Sequence, residues 1–79
     1  MLTEYIRAAM RHATYEILED KTYYGEVPEL LGVWANEDTL EGCRDELQSA
    51  LEDWILFRVA NNMPVPAIDG LELTVAHVA

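Results

Sequence analysis

The sequence predicts a small α+β domain: a mixed sheet of three antiparallel strands plus a fourth, parallel strand, one long helix packed on it, and a short N-terminal helix. Three observations carry this expectation. Two β-rich runs flank the polar turn Glu19–Thr22, an uninterrupted helical pattern runs from Thr39 to Asn61, and an alternating run follows Asp69-Gly70. At 79 residues the chain makes one domain. A chain of this size buries only about 60–65% of its unfolded surface, and its core supplies about 3–5 kcal/mol. Help from a second subunit is therefore expected, and the chain reads as a homo-oligomer.

Leu2, Tyr5, Ile6, Ala9 and Met10 recur at helical spacing opposite Glu4, Arg7 and Arg11, so residues 3–11 read as an amphipathic helix. A helix this short needs a surface to pack on. Ala13, Tyr15 and Ile17 then alternate with Thr14, Glu16 and Leu18, and Thr22 to Val27 is again β-rich. The two runs suit a hairpin. Tyr23 and Tyr24 are adjacent and face opposite ways, which leaves one of them outside, either as ordinary exposed surface or as a contact anchor. Pro28 ends the second strand because it has no amide proton to give. Gly32 to Asn36 makes a third strand, completing a sheet over 13–36.

Asp38 and Glu41 have capping-box spacing, with Thr39 as the alternative cap. The helix they start spans 39–61 and stops at Asn61-Asn62 and the prolines at 64 and 66. Leu40, Cys43, Leu47, Leu51 and Trp54 form its apolar stripe, with Glu41, Asp45, Glu52 and Asp53 away from it. At ~1.5 Å per residue the helix runs roughly 33 Å, against ~20 Å for a six-residue strand. Its last turns overhang the sheet, and they are apolar nearly all round: Trp54, Ile55, Leu56, Phe57, Val59 and Ala60. A helix apolar on every side is covered on every side. The cover is the N-terminal helix, another subunit or both, and Trp54, Leu56 and Phe57 are the candidate oligomer contacts. Beyond the stiff Met63–Pro66 connector, Leu71, Leu73 and Val75 alternate in a final strand over 69–76. A strand–helix–strand crossover makes that strand parallel to the one it joins.

Charge narrows the function. Fifteen acidic and five basic residues give a net charge of −10, which repels phosphate and disfavours direct nucleic-acid or anionic-membrane binding. A basic protein partner is favoured. No apolar stretch approaches the ~20 residues of a membrane span, and MLTEYIRAAMRH lacks a secretion signal's apolar core. The lone Cys43 allows no internal disulfide and fits a reducing compartment, so a cytoplasmic location is expected. His12 and His77, near opposite ends, do not complete a compact zinc set with it. No metal or cofactor is expected.

The series YEILEDKTYYGEVPELLGVWANEDTLEGCRDELQSALEDWI, followed by Pro64 and Pro66, resembles the HicB-like antitoxin family. Pro28, Leu30, Gly32, Asp38, Thr39, Leu40, Glu41, Leu47, Trp54 and Pro66 carry the likeness, which covers roughly residues 13–70. The resemblance implies a partial RNase H-like fold and a partner of the HicA type, a small basic ribonuclease toxin that cleaves messenger RNA. Many members add a C-terminal DNA-binding segment, and this chain is expected to be a short member without one. Val33-Trp34 after Gly32, the turn Glu37-Asp38, Gly42 in the helix's first turn and the N-terminal helix also depart from the family pattern.

Two other readings stand beside this one. RNase H-type chemistry needs carboxylates converging on magnesium, for which Glu16, with Glu41 or Asp45 and Glu72, are the candidates. Such acids are usually solvated, and fold does not carry function, so no catalytic residue is assigned. The chain is read as a binding module and not an enzyme; Glu41, Asp45 and Glu52 are either a solvated face or the candidate partner-binding face that draws in a basic toxin. The alternative is a stand-alone homo-oligomeric scaffold without a toxin.

Overall fold

A computed structural model describes residues 2–73. The order is α1 (Leu2–Arg11), β1 (Thr14–Ile17), β2 (Tyr23–Glu26), β3 (Trp34–Glu37) and α2 (Leu40–Ala60). The strands form one antiparallel meander, β1-β2-β3, in the register Tyr15↔Gly25↔Ala35. One layer of sheet and one of helix enclose a single core. Cys43, Leu47, Leu51 and Ile55 bury one stripe of α2, and Tyr5, Ala8 and Ala9 bury the inner face of α1.

Gly25 explains how closely α2 approaches the sheet. A Cβ there would lie 2.9 Å from the Tyr15 ring and 3.1 Å from the Cys43 sulfur. A bare backbone at the centre of the middle strand thus admits both side chains. Between β2 and β3 the chain makes two successive turns, closed by Leu30 N–H to the Val27 carbonyl and Val33 N–H to the Leu30 carbonyl. Each returns an apolar residue to the core, where Val27, Leu30 and Val33 are buried. Gly32 supplies the positive φ of 96° that the second turn requires. The third strand therefore begins at Trp34, two residues later than the predicted start at Gly32.

Thr39, not Asp38, caps α2, its hydroxyl accepting from the Gly42 amide at 3.0 Å. The other end is a Schellman motif: the Asn62 amide bonds the Val59 carbonyl and the Met63 amide the Arg58 carbonyl, with Asn62 at φ 54°. The buried stripe is rotated from the predicted one. Ile55 is in it, whereas Leu40 is 45% exposed and Trp54 only half-buried.

The predicted fourth strand is the main departure. After α2, the Arg58 guanidinium donates to the Pro64 carbonyl and the Tyr5 hydroxyl to the Pro66 carbonyl, tying the connector to α2 and α1. Buried Ile68 anchors it, and Asp69 and Gly70, at φ 52° and 76°, turn the chain so that Ile68 and Leu71 form an antiparallel bridge. The segment bends back on itself where a strand was expected to enter the sheet, and residues 71–73 add no ladder. Residues 74–76 of that expectation lie outside the described residues.

Candidate partner-binding surface

Strand alternation separates the two faces of the sheet. Gly25 and Ala35 face α2, so the cross-strand rows Thr14–Glu26–Trp34 and Glu16–Tyr24–Asn36 face away from it. Trp34 is 56% exposed there. The Tyr24 ring stacks on it, centroids 6.2 Å apart and planes at 23°. The Tyr24 hydroxyl donates to Glu26 Oε1 at 2.9 Å. That bond, then loss of solvent and the nearby charges of Glu26 and Glu16, holds the phenol above its ordinary value of 10.0. An exposed indole backed by a tyrosine and flanked by carboxylates offers a flat apolar platform to guanidinium and ammonium groups.

The platform continues onto an edge. In the order β1-β2-β3 the outer side of β3 pairs with no strand among the described residues. A groove of about 330 Å³ runs between it and α2, lined by Trp34, Asn36, Glu37, Glu46, Ser49 and Asp53 among others. It contains three carboxylates and no cation. Asn36 is fixed by donating to the Thr22 hydroxyl and the Tyr23 carbonyl, at 2.8 and 2.9 Å. A strand edge with no strand partner among the described residues, beside acids and an indole, suits an extended basic segment, whose main chain bonds the edge while its cations meet the carboxylates.

The residues singled out from the sequence fall elsewhere. Glu41, Asp45 and Glu52 are all exposed but occupy the other shoulder of α2. Glu52 accepts a hydrogen bond from Gln48 Nε2 at 3.3 Å and lines a groove between α1 and α2 together with Arg7, Arg11 and Arg44. Trp54 is engaged within the chain: its indole N–H donates to the Leu31 carbonyl at 3.1 Å, and the Arg58 guanidinium lies 4.5 Å over its ring. Leu56 and Phe57 are 63% and 62% exposed, so α1 does not cover them. Trp34, marked in the sequence only by the Val33-Trp34 departure from the family pattern, is the member that sequence reasoning does not single out. Its signal is its position one residue from buried Ala35, which puts it on the opposite face.

The candidate nuclease acids do not meet. Glu16 lies on the open face, while α2, carrying Glu41 and Asp45, packs on the other. Among the described residues no three His, Cys, Asp or Glu side chains form a group able to hold a metal ion. Cys43 is fully buried, its thiol donating to the Ala35 carbonyl at 3.6 Å, and burial pushes its pKa up from 9.0. His12, which has no evident partner in the sequence, has two in the fold. Nε2 meets Asp69 Oδ1 at 2.7 Å and Nδ1 meets Glu29 Oε2 at 2.5 Å. Both ring nitrogens can donate only in the imidazolium, and the bonds to Asp69 and Glu29 raise the histidine above 6.5. The same contact lowers Glu29 below 4.5. The cluster fastens the end of α1 to the β2–β3 loop and the C-terminal turn. His77 lies outside the described residues.

Among known proteins, the UPF0150-like family model matches residues 4–66. The crystal structure of TTHA0281 from Thermus thermophilus is similar at a TM-score of 0.91 and 42% identity, over 96% of this chain and 95% of that one. No curated protein matches the chain. No helix among the described residues is long and apolar enough to cross a membrane.

Proposed function

Because the chain belongs to the UPF0150-like family, we propose that it is an antitoxin-type binding module that occludes a small basic ribonuclease toxin of the HicA kind. The UPF0150-like family is related to the HicB-like antitoxins, and the sequence resemblance above points the same way. The observation that carries the reading is the exposed Trp34–Tyr24 stack beside the acid-lined edge of β3. On a chain of net charge −10, such a surface attracts cations over a distance and holds them by stacking and strand addition at contact. A ribonuclease toxin must present cationic side chains to its RNA, so a protein that covers them competes directly with the substrate. Glu41 and Asp45, on the other shoulder, add to the attraction without needing to touch the toxin.

The mechanism needs no bond-making step. Occlusion is stoichiometric, and it weakens as salt screens the charges. The test is to co-express the chain with the product of the adjacent reading frame. A basic product that arrests growth and degrades messenger RNA alone, and does neither when this chain is present, supports the proposal. An adjacent product that neither binds the chain at low salt nor changes in activity removes it.

A further inference from the structure

The second shoulder of α2 has its own pattern. Leu40, Arg44, Gln48, Glu52 and Leu56 follow at four-residue intervals, and all five are exposed. Residues at this spacing form a ridge along a helix. Reversed end to end, the ridge is its own complement: Leu40 falls opposite Leu56, Arg44 opposite Glu52, and Gln48 opposite itself. A two-fold axis needs this property, because in an isologous contact residue i meets j and j meets i.

The charges around the ridge point to the same occupant. Of five basic residues in the chain, Arg7, Arg11 and Arg44 line the groove of about 850 Å³ between α1 and α2. The chain has fifteen carboxylates to pair with them. Yet among the described residues Arg7 and Arg44 form no ion pair or hydrogen bond, and Arg11 reaches only Asp69, at 3.6 Å. Two copies each carrying −10 repel unless their contact gathers cations from both. The remaining two do not serve. Lys21 sits in the hairpin turn, and Arg58 is committed to the Trp54 ring and the Pro64 carbonyl.

We propose that the ridge Leu40–Arg44–Gln48–Glu52–Leu56 and the arginine-lined groove beside it are the contact of an isologous homodimer. The α2 helices cross antiparallel at Gln48, and Arg44 of each copy pairs with Glu52 of the other. Ridge packs into groove, with Arg7 and Arg11 on the α1 wall facing the incoming Glu52. Leu56, bare in the single chain, lies over the Leu40 end of the second copy beside Ile6 and Met10. The contact leaves the Trp34 edge free, so the dimer offers two seats to a basic partner, and it stands whether or not such a partner exists.

Charge exchange tests it with this chain alone. In sedimentation equilibrium on the full chain, Arg44→Glu and Glu52→Arg are each expected to raise the dimer dissociation constant at least about tenfold, because each replaces two attractive pairs by repulsive ones. The double variant R44E/E52R restores dimerisation to near the parent value, since exchanged pairs attract again. Both positions are exposed, and circular dichroism verifies the fold. A monomer at high micromolar concentration, single variants that dimerise like the parent, or a double variant as weak as the singles would each overturn the proposal.

Discussion

His12 shows how much one residue can depend on distant partners. Glu29 is 17 residues away and Asp69 57, so no local pattern in the sequence marks them, and they meet only once α1, the β2–β3 loop and the C-terminal turn are in place. The cluster makes stability depend on pH in a definite direction. The histidine's folded pKa is raised above 6.5, so its contribution is full below 6.5 and is lost as pH rises through the raised value. Glu29 is lowered below 4.5, so its contribution is full above 4.5 and is lost as pH falls through the lowered value. The clamp is therefore tightest between about pH 4.5 and 6.5. Urea midpoints for His12→Ala are expected to lose this dependence, converging on the parent at alkaline pH. A parent midpoint that does not fall from mildly acid to alkaline pH would contradict the clamp. Gly25 is a second such position, legible only as a glycine in a strand. With the Tyr15 ring 2.9 Å from its would-be Cβ, Gly25→Ala is expected to cost about 1–3 kcal/mol by urea unfolding.

Among the elements, α2 is the most legible because its signals are local. Thr39 and Asn61-Asn62 mark its ends, and Cys43, Leu47 and Leu51 mark its buried face. Thr39→Ala is expected to cost about 1 kcal/mol through the lost hydroxyl cap, and Leu51→Ala about 2–5 kcal/mol through the cavity left in the core. Thermal or urea unfolding measures both. The predicted stripe fails at its ends. There helix spacing says which side faces the sheet but not how far the sheet extends, so the pattern puts Leu40 inside and passes over Ile55. The fourth strand fails for a different reason. Alternation at Leu71 and Leu73 reads as a strand, but Tyr5 and Arg58 hold the connector by its proline carbonyls. With the connector held there, the chain turns before it reaches the sheet. Those anchors lie in the two helices, far from the segment they redirect.

At the scale of the whole molecule, α2 divides the surface in two. One shoulder joins Glu46 and Asp53 to the Trp34 edge, and the other carries the Leu40–Leu56 ridge and the arginine groove. Acidity and the overlong apolar helix are visible in the sequence. The separation of the two shoulders is not, because it depends on where β3 and α1 flank α2. Both surfaces respond to salt, but through different residues: R44E acts on self-association and Trp34→Ala on the basic partner. Trp34→Ala is expected to weaken partner binding by about 2 kcal/mol, as for a central aromatic anchor, with the fold unchanged. The most direct measurement is messenger-RNA cleavage by the adjacent gene's basic product, titrated with this chain at low and high salt. Cleavage is expected to stop at a fixed stoichiometric ratio at low salt and to resume at high salt or with Trp34→Ala. Undiminished cleavage under an excess of the parent chain at low salt would contradict the account.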